Sequence, residues 1–284
     1  MHSNHRCSVS AGGMVPFPGA PDRSTRTLPT LPRHRFFSLP LVYNFDMTSG
    51  LHRFANPILL LLSGALLTTC FGQSRSTVLV ELFTSEGCSS CPPADHLLEK
   101  LDPQVIVLSE HVTYWNQGGW KDPFSSPAFT ARQQAYGRSL NLDGVYTPEM
   151  VVDGEAEFNG SDSRQAAEAI AKAVQKKKAD VRIARIDAGL RVEIEAPPGA
   201  ADLFLALAED SAASQVSAGE NSGRHLHHVA VVRSIQKIGS TKRGASFSRM
   251  LELPGTAATQ RIIVFLQESG PGRISGVAML PPGT

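Results

Sequence analysis

Thr77-Val78-Leu79-Val80-Glu81-Leu82-Phe83-Thr84-Ser85-Glu86-Gly87-Cys88-Ser89-Ser90-Cys91-Pro92-Pro93-Ala94-Asp95 passes from strand to helix through a pair of cysteines. Its first half is rich in β-formers and reads as a buried strand. From Pro92 to Leu101, Leu97, Leu98 and Leu101 share one helical face, proline fills the first turn, and Asp95 lies near the positive end of the dipole. Two thiols spaced C-x-x-C close into a disulfide and reopen without moving the fold. Cys88 is expected where unpaired backbone N–H groups point outward and stabilise a thiolate. Two other chemistries use the same motif. Zinc needs two further ligands, commonly from a second pair. The four cysteines are Cys7, Cys70, Cys88 and Cys91, so no second C-x-x-C exists. An inert structural disulfide is the remaining alternative.

Outward from this segment, strands and helices alternate to about residue 180. Val105 to Leu108 is a short apolar strand. Ser126-Pro127 supplies an N-cap and first turn for a helix to about Leu140, with Phe129, Tyr136 and Leu140 as apolar positions. Met150-Val151-Val152, the turn pair Asp153-Gly154 and Glu155 to Phe158 predict a hairpin. Ser163 to Lys178 predicts a helix with Ala166, Ala167, Ile170, Ala173 and Val174 inward, closed by Lys176-Lys177-Lys178 at the negative end of its dipole. The order β-α-β-α-β-β-α predicts an α/β sheet over residues 77–180. Beyond it, 181–186, 190–195, 203–208, 229–238, 247–253, 261–267 and 276–280 read as strands separated by turns such as Pro197-Pro198-Gly199 and Pro254-Gly255. These predict an all-β, sandwich-like domain over 181–284.

Residues 1–46 carry scattered prolines and basic residues without sustained periodicity. Met47 opens a more convincing start, with His52-Arg53 followed by the apolar stretch Pro57 to Leu67. That is the length of a signal-peptide core and short for a membrane span. Translation is expected to start at Met47, with 47–72 as a signal peptide; peptides from 1–46 in cellular mass spectra would refute this. Leu67-Thr68-Thr69-Cys70 resembles a lipobox, although Thr69 departs from the usual Gly, Ala or Ser. Cys70 is either a lipid anchor, the chain's one expected membrane attachment, or is discarded with the signal. Both readings place the mature chain, periplasmic or secreted, in an oxidising compartment. The formal net charge of +1 and the lack of a long basic run argue against nucleic acid as a partner.

Strand, C-x-x-C, helix, strand, helix, then Thr147-Pro148 before a hairpin and a last helix resembles the thioredoxin fold. The string quoted first, with Gly119-Trp120-Lys121-Asp122-Pro123-Phe124 and Tyr146-Thr147-Pro148-Glu149-Met150-Val151-Val152-Asp153-Gly154, resembles a narrower group. That group is the secreted thioredoxin-like proteins of domain-of-unknown-function family 1223. The resemblance implies an α/β thioredoxin-like domain followed by an all-β domain. It implies that Cys88 is the exposed nucleophile, Cys91 the resolving thiol, and Pro148 a cis-proline facing the disulfide. It frees the Thr147 backbone to pair with an extended substrate. Glu81, an acid inside an apolar strand, needs a reason. The resemblance offers a proton relay beneath the disulfide; the alternatives are an exposed face or a pairing with Arg or Lys.

Other marks are less specific. Tyr114, Trp115 and Trp120, with Gly118-Gly119, would wall a substrate groove or pack on the core. His111 is a metal ligand or a structural histidine. His225, His227 and His228 lie with Arg224 and Arg233; on a strand His225 and His227 share a face, the start of a copper or zinc site without a completing Cys or Asp. The expected function is an extracytoplasmic thiol–disulfide oxidoreductase acting on protein thiols or disulfides, with no cofactor beyond its dithiol and no metal. The alternatives are a binding module with a static disulfide and a periplasmic copper or zinc carrier.

Overall fold

The computed structural model describes residues 76–187, 189–195, 197–253 and 259–283. The expected extension, signal peptide, Cys70 anchor and Pro254-Gly255 turn lie outside the described residues. The elements run β1 (Ser76–Thr84), α1 (Pro92–Leu101), β2 (Val105–His111), α2 (Pro127–Ser139), β3 (Glu149–Val152), β4 (Ala156–Asn159) and α3 (Ser163–Val174). They continue as β5 (Asp180–Ile186), β6 (Gly189–Glu195), β7 (Ala201–Gln215), β8 (His225–Thr241), β9 (Phe247–Glu252), β10 (Gln260–Gln267) and β11 (Ile274–Leu280).

The expectation of an α/β thioredoxin-like domain followed by an all-β domain is corrected. The protein is mostly β, with one mixed eight-stranded sheet in the order β11-β10-β7-β8-β2-β1-β3-β4 and a three-stranded sheet, β5-β6-β9. β8 runs parallel to β2, with Ser109 opposite Val231, so strands from both parts of the sequence share one sheet. The physical reason lies in β2, every residue of which is buried. A buried strand edge needs backbone partners. β1 satisfies one edge of β2 and β8 approaches the other.

Capping fixes the helix starts. Ser126 accepts from Ala128 N and is followed by Pro127; Asp162 accepts from Arg164 N and Gln165 N. Asp153 and Gly154 have φ of 51° and 70°, a left-handed pair in the turn that Glu155 N closes onto Val152 O, between the paired Val152 and Ala156. α3 ends at Val174, short of the predicted lysine run. Lys176 pairs with Glu155 and Lys178 with Asp153, tying the helix exit to the β3–β4 hairpin.

Alternation along β1 divides the core. Val78, Val80 and Leu82 pack with Ala94 and Leu98 of α1 and with Ala166 and Ala173 of α3. Leu79 packs on the other face with Phe129 of α2, where Phe83 meets Tyr136. The three-stranded sheet covers β7 and β10 through Leu190, Val192 and Ile194 against Leu203, Leu205, Ile262 and Val264. Among the described residues, no helix is long and apolar enough to cross a membrane.

Candidate functional site

Cys91 is the N-cap of α1 and makes no side-chain cap. Its carbonyl accepts from Ala94 N and Asp95 N, and Cys88 O accepts from Cys91 N, so the motif is wound into the helix start. Cys88 and Cys91 form a disulfide with a Cα–Cα separation of 5.4 Å. Both are 0% exposed, while Ser89 and Ser90 between them are exposed. The sulfurs therefore lie immediately beneath the surface.

The loop joining β7 to β8, residues 216–224, is bonded to the backbone around Cys88. Asn221, itself 1% exposed, donates through Nδ2 to Glu86 O and to Cys88 O, each at 2.9 Å. Glu220 accepts from Ser89 N at 3.0 Å. The loop is tied to itself by Val216 N to Arg224 O and Gly223 N to Val216 O. Gly219 lies against the neighbouring loop, where an added Cβ would stand 3.2 Å from Gly118 O and from Trp120 Cβ.

The acids flanking the motif enter a buried ionic cluster. Glu86 accepts from Trp120 Nε1 at 2.8 Å and from Ser214 Oγ, and faces His228 Nε2 at 3.3 Å. His228 Nδ1 is 3.5 Å from Asp95 of α1. Asp122 bonds His111 Nδ1 at 2.7 Å and accepts from Glu86 N. The rings of His111 and His228 meet edge to face with centroids 4.6 Å apart. Burial alone would discharge His228, but the Asp95 and Glu86 carboxyls beside it outweigh burial and push its pKa up to about 10. Burial also opposes ionisation of Glu86, and the bonds from His228, Ser214 and Trp120 overcome it and hold the carboxyl low. Asp122 is held low against burial by His111.

A family model for a protein of unknown function, DUF1223, matches residues 79–267. The chain belongs to the DUF1223 family. The matched span contains the disulfide, the β7–β8 loop and the ionic cluster. Protein AGR_C_4864 from Agrobacterium tumefaciens is similar, with 31% identity and a TM-score of 0.65 over 75% of this chain and 96% of that one. HBP35 of Porphyromonas gingivalis is similar in fold, with 14% identity and a TM-score of 0.52 over 74% of this chain and 76% of that one. No curated protein matches.

In this DUF1223 protein the expected site residues separate into two groups. Trp115 lies against Gly87, where an added Cβ would be 3.0 Å from Trp115 Cβ, and donates to Thr147 Oγ1 at 2.7 Å. The Thr147–Pro148 peptide is cis. Pro148 reaches α1 through Gly160, where an added Cβ would stand 3.2 Å from both Ala94 Cβ and Pro148 Cβ. Trp120 anchors the Glu86 carboxylate. Trp115 and Trp120 thus adjoin Gly87 and Glu86, just before the disulfide, and Cys88 is buried where exposure was expected, with Asn221 bonded to its carbonyl.

Glu81 is elsewhere. Its carboxylate meets Arg132 and Tyr136 of α2, on the face of β1 turned away from α1, so the expected relay beneath the disulfide is corrected to the pairing alternative. The acids beside the disulfide are Glu86 and Asp95. Sequence reasoning assigned neither to the site, although Glu86 stands two residues before Cys88. His228 was grouped with His225 and His227, yet it alone of the three is buried. Among the described residues, no three His, Cys, Asp or Glu side chains are arranged to hold a metal ion.

Beside Thr147, Glu149 accepts from Gln133 Nε2 at 2.6 Å in a buried position. Burial pushes its pKa up to about 7; Gln133 works the other way, and Glu157 and Glu81 add to the rise. A carboxyl raised on folding contributes stability that is full below about 4.5 and is lost as pH rises through about 7. Glu149→Gln is therefore expected to stabilise the protein at pH 8 relative to wild type, on the order of 2 kcal/mol, and to do so far less at pH 5. Urea melts of both proteins at the two pH values check this; an equal difference at both contradicts it.

Proposed function

We propose that this protein is a thiol–disulfide oxidoreductase working outside the cytoplasm on protein thiols or disulfides, with Cys88–Cys91 as its redox couple beneath a cover that must lift. The observation that carries the reading is the buried charged cluster whose Glu86 and Asp95 flank the C-x-x-C motif. Buried ionised side chains are costly and concentrate at functional sites, and this one joins the residue two before Cys88 to the first turn after Cys91. Trp115, Thr147 and Pro148 beside the same turn support a place for an extended substrate. The signal-like segment supports an oxidising compartment. In this reading Cys88 is attacked once the cover lifts and Cys91 leaves; in the opposite direction Cys88 attacks a substrate disulfide and Cys91 resolves the mixed disulfide.

The cover is compatible with turnover. It is held to the motif by three hydrogen bonds, one involving a carboxylate. At about 1 kcal/mol net for each neutral bond and somewhat more for the charged one, opening costs roughly 3–5 kcal/mol, within the range of local openings in native proteins. The complete exposure loss of both sulfurs favours a second reading, a static disulfide in a binding module. The two separate in an insulin-reduction or dithiol-oxidation assay. Wild type is expected to turn over and Cys88→Ser to lose all of that activity; equal rates for the two would favour the static reading.

A further inference from the structure

The cluster beside the disulfide contains charges of both signs, and each sign has its own effect on a sulfur anion. Glu86 and Asp95 bracket the C-x-x-C motif in sequence, and Asp95 N is bonded to Cys91 O. His228 sits between the two carboxyls, at 3.3 Å and 3.5 Å, with side-chain exposure of 1%. The groups facing His228 are Glu86 from the loop after β1, Asp95 from α1, His111 from β2 and the Phe124 ring. Asp122 stands behind His111. One layer farther out, Arg233 lies over Phe124 and pairs with Glu209 at the surface, and exposed His227 faces Glu99.

We infer that Glu86, His228 and Asp95 are positioning residues that set the charge balance of the Cys88–Cys91 couple, His228 favouring the thiolate formed on reduction and Glu86 opposing it. This deepens the oxidoreductase reading and rests on the pair being able to open.

The step balances as follows. A thiolate of a substrate dithiol attacks the Cys88 sulfur. The S–S bond breaks, and its electron pair leaves on the Cys91 sulfur. The second substrate thiol, giving up its proton, attacks its partner in the mixed disulfide and releases Cys88 as a thiolate. The substrate departs as a disulfide, and the two protons it lost end on the two cysteines. A negative sulfur thus appears twice on buried residues flanked by Glu86 and Asp95, where neighbouring charges act strongly. His228 lowers the free energy of that anion, whereas Glu86 raises it. Neither touches a reacting atom in the hydrogen bonds of the structure, so both act by placing charge.

The test is a thiolate titration by far-ultraviolet absorbance of the full chain, reduced with excess phosphine, in a background where Cys7 and Cys70 are serine. Relative to that background, His228→Gln is expected to cut the thiolate fraction near neutral pH about tenfold, one pKa unit, and Glu86→Gln to raise it by a similar factor. His228→Lys, which restores a cation, is expected to return the fraction toward the background value. Should His228→Gln fail to fold, the upward change in Glu86→Gln still decides the matter. A merely structural cluster gives changes of one sign or none, and that result overturns the inference. A background protein whose disulfide resists the phosphine under native conditions overturns the oxidoreductase reading itself, and with it the role given to the cluster.

Discussion

Replacing Asn221 with alanine is expected to speed reduction of the Cys88–Cys91 disulfide by dithiothreitol about 10- to 100-fold, because two buried hydrogen bonds, together worth about 1.4–2.8 kcal/mol, disappear from the closed state. Both sulfurs are shielded in the resting protein, so a small thiol reaches them only from an opened form. The observed rate is then the intrinsic rate multiplied by the open fraction. Asn221 is the residue through which the β7–β8 loop grips the motif, at Glu86 O and Cys88 O. Glu220→Ala removes one exposed contact, to Ser89 N, where Asn221→Ala removes two buried ones, and is expected to act in the same direction with a smaller factor. The measurement is alkylation of freed Cys88 and Cys91 over time, followed by mass spectrometry, with thermal melts run alongside. An unchanged rate in Asn221→Ala would show that the loop is not what limits access.

Arg132→Ala is expected to destabilise the fold by about 3–5 kcal/mol, the usual consequence of removing one partner from a buried ionic group. Arg132 binds Glu81 through Nε at 2.7 Å and donates to Gln267 Oε1 at 3.0 Å. Its guanidinium lies over the rings of Tyr136 and Phe265, at 5.1 Å and 5.4 Å. Tyr136 OH in turn donates to Glu81 at 2.5 Å. One side chain thereby joins α2 to β1 and β10. Glu110 stands 3.6 Å from the same guanidinium. Burial first, and the Glu81 charge second, push its pKa well above the carboxylate range. Glu110 thereby resists carrying a second negative charge beside Glu81.

Alanine at 132 leaves Glu81 without its cation. Denaturant melts of wild type and variant check this. A loss below about 1 kcal/mol, the scale of an exposed ion pair, would contradict this account of the cluster. Arg132→Lys keeps the charge but not the several directed bonds, and is expected to recover only part of the loss.

Local pattern carried much of the architecture. The β-rich run before Cys88, the proline-led helix after it, the Asp153-Gly154 hairpin and the strands after residue 180 all form where their periodicity places them. What local pattern did not carry is pairing across long separations. Nothing in 105–111 or 225–241 says that β2 and β8 lie side by side, and that contact turns two expected domains' worth of strands into one sheet. Periodicity predicts a strand over 203–208, and β7 extends to Gln215. Its second half, Glu209-Asp210-Ser211-Ala212-Ala213-Ser214-Gln215, has weak strand propensity and is held by its partners in β8.

The site divides the same way. The cysteines, Trp115, Trp120, Thr147 and Pro148 come from strings with chemical character of their own. Asn221 sits in Ser217-Ala218-Gly219-Glu220-Asn221-Ser222-Gly223, which reads as an ordinary turn. Its bonds to Glu86 and Cys88 span more than a hundred residues. Glu81 presents the opposite case. An acid in an apolar strand is a visible anomaly, but the sequence does not say which face of the strand its partner occupies, and alternation along β1 sends it toward α2.

The reduction potential of Cys88–Cys91 in the native chain, obtained by equilibration against glutathione and dithiothreitol buffers, reaches the core of the account. A working exchange couple is expected to fall between about −300 and −120 mV, the span of known oxidoreductase pairs. A value well below about −300 mV would mark a pair built to stay closed, and the proposed chemistry would have to be given up.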